Sequence, residues 1–174
     1  MTTTLRRITT EYIEIEDRLR ISGEIADAEA VVIWLTQRLL LRLLPLLLQW
    51  LDQQTQHTVN NANTPRVDVL QSFAQQTARA QLEHQPPVRP SGSSATWLAH
   101  SVDIAQSAQE VALTFKSVDD LLQPATLALA AQPLRQWLNI VYDAFVIAGW
   151  PLEVWPDWIR DGATPAQAQI AVWH

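Results

Sequence analysis

Two arginines in the most apolar segment of the chain have the residue type and the spacing of an anion clamp. Arg38 and Arg42 lie four positions apart, one turn of a helix, and leucines surround them. A guanidinium that is removed from water needs an anionic partner. In a structural interpretation the pair reaches solvent or bonds to Asp52, Glu29 or an acid of the first hairpin. In a functional interpretation it binds a carboxylate or a phosphate.

Histidine is the side chain best suited to acid–base chemistry near neutral pH, and His100 is the candidate among four. Strand alternation over 95–116 places it on the face of Leu98 and Val102, opposite Phe115, in or beside the core. It is interpreted either as a partly buried structural histidine or as a catalytic residue that works with a carboxylate. No two histidines stand three or four residues apart, so no helical metal pair is predicted, and neither is a cofactor.

Tryptophan is frequent, with eight in 174 residues. Trp150, Trp155 and Trp158 follow one another in a proline-containing tail. Aromatic side chains are enriched in ligand pockets and in protein interfaces, so these three are candidates for a pocket wall beside Arg38 and Arg42. In the alternative, the tail folds over the core and the rings fill gaps in it.

Composition and charge argue against several classes of function. The chain carries 12 basic and 18 acidic side chains, a net charge of −6, and has no basic stripe of the kind that binds nucleic acid. It has no cysteine, which rules out disulfides and thiolate metal sites. Residues 30–51 are the most hydrophobic, but the two arginines make membrane insertion costly. A signal peptide is not predicted, and a cytoplasmic location is expected.

The elements that must position these residues follow from hydrophobic periodicity. Alternation over 8–26 predicts a β-hairpin with a turn at 16–18, a register that pairs Ile15 with Leu19. Helical periodicity over 28–54 predicts one long helix, whose apolar residues cover more than half of its circumference.

A second, less apolar helix is predicted to begin at 64–65. Its predicted inner stripe consists of apolar residues: Val67, Leu70, Ala74 and Ala78, with Phe73 alongside. Residues 85–95 are rich in proline and serine and predict a mobile loop that joins 1–84 to 95–174.

The second half of the chain repeats the general outline of the first. A hairpin is predicted over 95–116, a short further strand over 126–130, and a helix over 133–149 that Gly149 ends. A last short helix is predicted to start at 164–165. No residue-level repeat relates the two halves.

These segments give the element order ββαα-ββ(β)α. The predicted fold class is α+β: a single antiparallel sheet of four or five strands, built from two hairpins, with one long apolar helix and two shorter helices packed on one face. A chain of 174 residues is predicted to form a single domain over 1–174.

The wide apolar arc of the long helix supports the leading functional hypothesis. A surface helix needs an apolar face of about 100°, and this helix has more than its own domain is expected to cover. The candidate interface residues lie along that arc: Leu39, Leu43, Leu47 and Trp50. The protein is therefore expected to act by contact with other proteins, including a homo-oligomer formed through helix 28–54, through the tryptophan-rich tail or through both. A small-ligand site at the arginine pair is the first alternative, and an acid–base enzyme that uses His100 is the second.

Overall fold

The computed structural model of the chain describes residues 1–26, 29–58 and 66–162. Within them the strands are β1 (Thr3–Thr4), β2 (Arg7–Ile13), β3 (Arg18–Glu24), β4 (Ala30–Leu35), β5 (Ala95–Leu98), β6 (Ser101–Gln106), β7 (Glu110–Lys116) and β8 (Ala125–Ala130). The helices are α1 (Gln37–Thr58), α2 (Arg66–Ala80), α3 (Ala131–Ala148) and α4 (Asp157–Arg160). The predicted helix starts at 64–65 and 164–165 lie outside the described residues.

The strands form two four-stranded sheets, and each sheet is completed by a strand from the other half of the chain. In the first sheet β2, β3 and β4 are antiparallel neighbours, and β5 pairs with β4 in parallel. In the second, β6, β7 and β8 are antiparallel neighbours, and β1 pairs with β8 in parallel. We call β1–β4 with α1 and α2 the N-terminal unit, and β5–β8 with α3 and α4 the C-terminal unit. Each unit lends its first strand to the other unit's sheet.

The strand registers show that the two units are built in the same way. Val31 of β4 has an antiparallel neighbour on one side and the parallel Ala95 on the other. Ala125 of β8 has the same two kinds of neighbour, and its parallel partner is Thr3. Ala125 stands 94 positions after Val31. A helix follows directly in both units, α1 after β4 and α3 after β8. The repeat is therefore one of structure.

The buried faces of α1 and α3 match position by position at this spacing of 94. The buried residues of α1 are Leu40, Leu43, Leu44, Leu47, Leu48, Trp50 and Leu51. Their counterparts in α3 are buried as well: Leu134, Trp137, Leu138, Val141, Tyr142, Ala144 and Phe145. Each helix also contacts a strand of the other unit, α1 with β6 and α3 with β2. Both sheets and both helices share one apolar core.

The α+β class is confirmed, but the strands divide between two sheets and do not form the predicted single sheet. The prediction also missed β4, because the periodicity had assigned it to a helix over 28–54; the helix itself begins at Gln37. Every residue of β4 is apolar and most are buried. A strand with neighbours on both sides and both faces covered loses its alternation, so it resembles a buried helix. The β-branched run at 31–33 was the signal for a strand.

The first hairpin has a different register from the predicted one. Leu19 pairs with Tyr12, whereas the prediction paired it with Ile15. Ile15 lies in a 3-10 turn at Glu14–Glu16 and is 92% exposed. Asp17 closes this turn with φ 48°, a left-handed conformation that aspartate tolerates better than most residues. The longer turn shifts every pair along the hairpin.

Helix α2 packs with its polar side inward. Gln71 and Gln75 are buried, whereas Leu70 and Phe73 are exposed. The predicted inner stripe is therefore wrong for Leu70 and Phe73. The reason lies in the neighbouring helix α3, because the surface of α3 that α2 covers is itself polar.

The proline-rich segment between the units lies along the edge strand β2. The N–H of Val88 donates a hydrogen bond to Thr9 Oγ1 at 2.8 Å, and the Val88 side chain is buried. The Arg7 guanidinium donates to the carbonyl of Pro86. Such a covered edge is one of the ways in which proteins keep a sheet from pairing with other chains.

Candidate functional site

The candidate interface residues of α1 lie mostly inside the core of their own chain. Leu43, Leu47 and Trp50 are 3%, 0% and 2% exposed, and Leu39 is half-buried. The Trp50 Nε1 donates a hydrogen bond to the Ser107 carbonyl at 3.1 Å. Most of the wide apolar arc is covered because α1 packs against elements of both units. The argument for self-association through these residues thereby loses its premise.

The three candidate tryptophans are buried as well, and they do not line the recess that contains the arginine pair. Trp150 and Trp155 each meet Phe145 edge to face, at centroid distances of 5.0 and 5.3 Å. The Arg135 guanidinium lies over the ring of Trp158, 5.3 Å from its centroid. All three rings therefore help to cover α3, a packing role.

Arg38 and Arg42 line a recess of about 450 Å³ at the start of α1. Its other lining residues come from the start of α1, from the connection between β5 and β6 and from the segment after β7: Thr36, Leu39, Leu98, Ala99, His100, Ser117 and Val118. Both arginines are exposed. Neither forms an ion pair or a hydrogen bond with the described part of the chain. Both guanidiniums are therefore available to an anion in the recess.

The start of α1 adds to the positive potential of the recess. Thr36 caps the helix, since its Oγ1 accepts a hydrogen bond from the Leu39 N–H at 3.2 Å. The first N–H groups of a helix lack acceptors within it, and the helix dipole places a partial positive charge there. Acidic side chains normally complement this charge, but the first turn of α1 has none and carries Arg38. A bound anion would satisfy both the helix end and the arginine.

His100 reaches the recess because the chain passes from one sheet to the other at this point. The Ala99 N–H donates to the Trp34 carbonyl of the first sheet, at 2.9 Å. The His100 N–H donates to the Lys116 carbonyl of the second sheet, at 2.8 Å. The prediction that His100 lies opposite Phe115, in or beside the core, is wrong. Phe115 pairs two residues further along the chain, and His100 is exposed.

The recess does not bring His100 together with a carboxylate, as an acid–base enzyme of the predicted kind would need. No aspartate or glutamate is among the residues that line it. Asp103, on the neighbouring strand β6, forms an ion pair with Lys116. His100 shares the recess with Arg38 and Arg42, and cationic side chains beside a hydrogen-bonding one suit the binding of an anion.

Helices α1 and α3 differ on one face, and that face carries the arginine pair. We call it the open face of α1: Arg38, Leu41, Arg42, Pro45, Leu46 and Gln49. We call the equivalent positions, 94 residues later, the covered face of α3: Gln132, Arg135, Gln136, Asn139, Ile140 and Asp143. Helix α2 lies on the covered face. On the open face Leu41 is half-buried, and the other five residues are exposed.

The covered face is mostly polar; Arg135 and Asn139 are buried, Gln132 is exposed, and its other three residues are half-buried. Arg135 is 5% exposed, and its guanidinium donates to Gln71 Oε1 of α2. Burial lowers the pKa of Arg135 to about 10, although the nearby charge of Asp52 acts in the opposite direction. The Arg135 Nη1, the Gln75 Oε1 and the Asn139 Oδ1 are buried without a hydrogen-bond partner in the described chain. The glutamines on the inner side of α2 match this surface.

Each of two larger recesses is lined by a single arginine together with a glutamate. One of about 600 Å³ lies where β1 and β5 begin, and one of about 790 Å³ lies between β2, the proline-rich segment and α3. In the second, Arg7 is already paired with Glu24 at 2.6 Å. Among the described residues no cluster of histidine and acidic side chains is placed to hold a metal ion. The helices of the described ranges are all too short or too polar to cross a membrane.

Sequence analysis had identified Arg38 and Arg42, and the structure adds His100 and Thr36 to them. It separates the tryptophans from them. The open face was not predicted, because it is visible only beside its counterpart in the other unit. Comparisons with models of protein families, with curated proteins and with solved structures found no match to this chain.

Proposed function

We propose that this protein is a binding module that receives an oxyanion, either a carboxylate or a phosphate, in the recess at the start of α1. The main support is that Arg38 and Arg42 stand one turn apart without a partner among the described residues. The planar guanidinium matches the geometry of carboxylate and phosphate oxygens. The helix start adds further positive potential, and His100 adds a further hydrogen-bonding side chain at the same place.

The other charges of the molecule make this pair distinctive. Arg7 is bonded to Glu24, and Arg20 to Glu11 at 2.8 Å. The chain as a whole has a net charge of −6. An anion is therefore repelled by the molecule in general and attracted to this recess, which is lined by two arginines and by no acidic side chain. The proposal retains a binding role and moves it from the apolar arc of α1 to the arginines.

Isothermal titration calorimetry with citrate and with inorganic phosphate tests this proposal. We expect saturable binding of at least one of the two anions. The double variant R38Q/R42Q gives α1 the residue type found at the equivalent positions of α3, and we expect it to weaken binding by about tenfold or more, the equivalent of about 1.4 kcal/mol. The double variant R6Q/R89Q removes the same charge from two exposed arginines elsewhere, and we expect nearly unchanged affinity.

Two results would contradict the proposal. One is the absence of binding heat for either anion with the unmodified protein. The other is an equal loss of affinity in R38Q/R42Q and R6Q/R89Q, because it would mean that net charge alone governs binding.

A further inference from the structure

We infer that the anionic groups received by the recess are carboxylates on an acidic helix of a partner protein. This helix lies along the open face of α1 in the way that α2 lies along the covered face of α3. The inference rests on the proposed function, because it names the carrier of the anion. It is argued from the repeat within the chain, from the charges of the open face and from its apolar residues.

The covered face shows what kind of element this surface of the fold accepts. Helix α2 is 15 residues long and contacts α3 through side chains on its inner side. Gln132 Nε2 donates to Gln81 Oε1 just beyond α2 at 2.7 Å, and Gln136 Nε2 donates to the Ala78 carbonyl at 2.9 Å. Because α1 and α3 occupy equivalent places in the two units, we expect the open face to offer the same kind of helix-binding surface. A helix is therefore the occupant that its shape suits.

The positive charges of the open face determine the sign of the charge that the bound helix must carry. At the positions of Gln132 and Gln136, which bond to neutral groups, α1 carries Arg38 and Arg42. A neutral helix placed there would remove two guanidiniums from water without giving them acceptors, which is unfavourable. Two carboxylates one helical turn apart on the occupant match the spacing of the two arginines and form charge-assisted hydrogen bonds with them.

The open face continues beyond the arginines as an apolar surface. Leu41 is half-buried, Pro45 is exposed and Leu46 is 46% exposed. A small free anion held by the arginines gains nothing from these residues. An amphipathic helix that carries apolar side chains beside its carboxylates covers them, as in other cases where a helix lies in a groove.

Among the helices that the structure describes, none would let a second copy of this chain provide such an occupant. Each described helix of three turns or more contains a single acidic residue: Asp52 in α1, Asp68 in α2 and Asp143 in α3. None of them can present two carboxylates to the arginine pair. The inferred occupant is therefore a helix of a different protein.

Fluorescence anisotropy with a labelled peptide tests the inference. The probe is an alanine-based helical peptide of about 18 residues, with two glutamates four positions apart and leucines on the same face. A control peptide has glutamine in place of both glutamates. We expect saturable binding of the glutamate peptide, about tenfold or more weaker binding of the glutamine peptide, and a similar loss in R38Q/R42Q. R6Q/R89Q is expected to stay within about twofold.

Leu46→Ser separates the inferred helix from a free anion. We expect this substitution to weaken binding of the glutamate peptide by about threefold, because an apolar contact is lost, and to leave the affinity for citrate unchanged. The five side chains substituted in these variants are exposed, and the circular dichroism spectrum and the urea midpoint of each variant verify its fold.

The outcomes distinguish this inference from the proposed function. If citrate or phosphate binds through Arg38 and Arg42 while the two peptides bind equally weakly, the inference is overturned and the proposed function stands. If neither anion nor peptide binds, both are overturned. If sedimentation shows dimers of the unmodified protein that dissociate in R38Q/R42Q, the occupant is a second copy, and the inference of a different partner is overturned.

Discussion

Helices α1 and α3 have the same place in the two units and the same pattern of buried residues, but they differ in what lies on their outer surface. Helix α2 covers one face of α3, whereas the equivalent face of α1 is exposed and carries two arginines. The shared pattern shows what the fold requires, namely apolar side chains toward the two sheets. The difference shows which surface the fold does not need to bury. In this chain that surface, the open face of α1, carries the candidate site.

The covered face also shows that a polar helix–helix contact carries a cost in this fold. Arg135 is buried with one nitrogen unpartnered, and α2 exposes Leu70 and Phe73 on its outer side. Burial of polar groups without partners opposes folding. The four predictions below test whether the two helices are equivalent where we say they are and different where we say they differ.

The largest expected effects concern the shared positions. Phe145 and Leu51 are equivalent, and both are fully buried. We expect Phe145→Ala to lower the free energy of unfolding by about 3–5 kcal/mol and Leu51→Ala by about 2–5 kcal/mol, through lost burial and the cavities left behind. Urea denaturation followed by circular dichroism measures both. A loss below about 1 kcal/mol in either variant would break the equivalence of the two helices.

The next effect concerns a position where the two faces differ. The buried Arg135 donates a hydrogen bond to Gln71 of α2, while its counterpart Leu41 is half-buried on the open face of α1. We expect Arg135→Ala to cost about 2 kcal/mol, because it leaves Gln71 without its donor and opens space beside Trp158. Leu41→Ala should cost about 1 kcal/mol or less. Similar losses in the two variants, again from urea denaturation, would show that α2 does not protect its face of α3.

A smaller difference is expected one position further along the same faces. Gln136 donates to the Ala78 carbonyl, whereas the equivalent Arg42 has no partner in the described residues. Gln136→Ala should cost about 1 kcal/mol, and Arg42→Ala should stay within about 0.5 kcal/mol of the unmodified protein. Thermal unfolding without added anions measures both. A large loss in Arg42→Ala would reveal a structural role for that arginine.

The smallest effect is a pH dependence that belongs to the covered face alone. Burial raises the pKa of Asp143, although the charge of Arg79 opposes this shift. The folded protein then holds the proton more tightly than the unfolded chain, so stability falls as the pH rises through the raised pKa. Asp143→Asn should therefore be more stable than the unmodified protein at neutral pH and equally stable near pH 3.

The control for this prediction is the equivalent position of α1. Gln49 is exposed and has no charge, so Gln49→Asn should show no pH-dependent difference from the unmodified protein. A melting-temperature gain from Asp143→Asn that is the same at both pH values would rule out ionisation of Asp143 as its cause.

Much of the fold was predictable from local patterns. The helix over 133–149 was found within two residues of α3, because its apolar spacing is regular and Gly149 ends it with φ 66°. The division into two sheets was not predictable in this way, because it depends on the parallel pairing of β1 and β5 with distant strands. Two-residue strands leave no periodic signal.

The candidate site was predictable in part. The spacing of Arg38 and Arg42 on a leucine-rich helix was enough to identify them. His100 was predicted to lie in or beside the core, but it is exposed. Its position depends on the crossing between the two sheets at 99–100 and not on strand alternation. The tryptophans were ambiguous for a physical reason: aromatic side chains are favoured in pockets and in cores alike.

The exchange of first strands determines when this protein can finish folding during its synthesis. Thr3 and Thr4 leave the ribosome well before their partners Ala125 and Thr126, which stand 122 positions later in the chain. β4 likewise waits for β5. A nascent chain that ends before β5 therefore has an incomplete first sheet with an unpaired edge. Such an exposed edge is prone to aggregation and is a feature that molecular chaperones bind. Neither sheet can therefore be completed until strands of the C-terminal unit have been made.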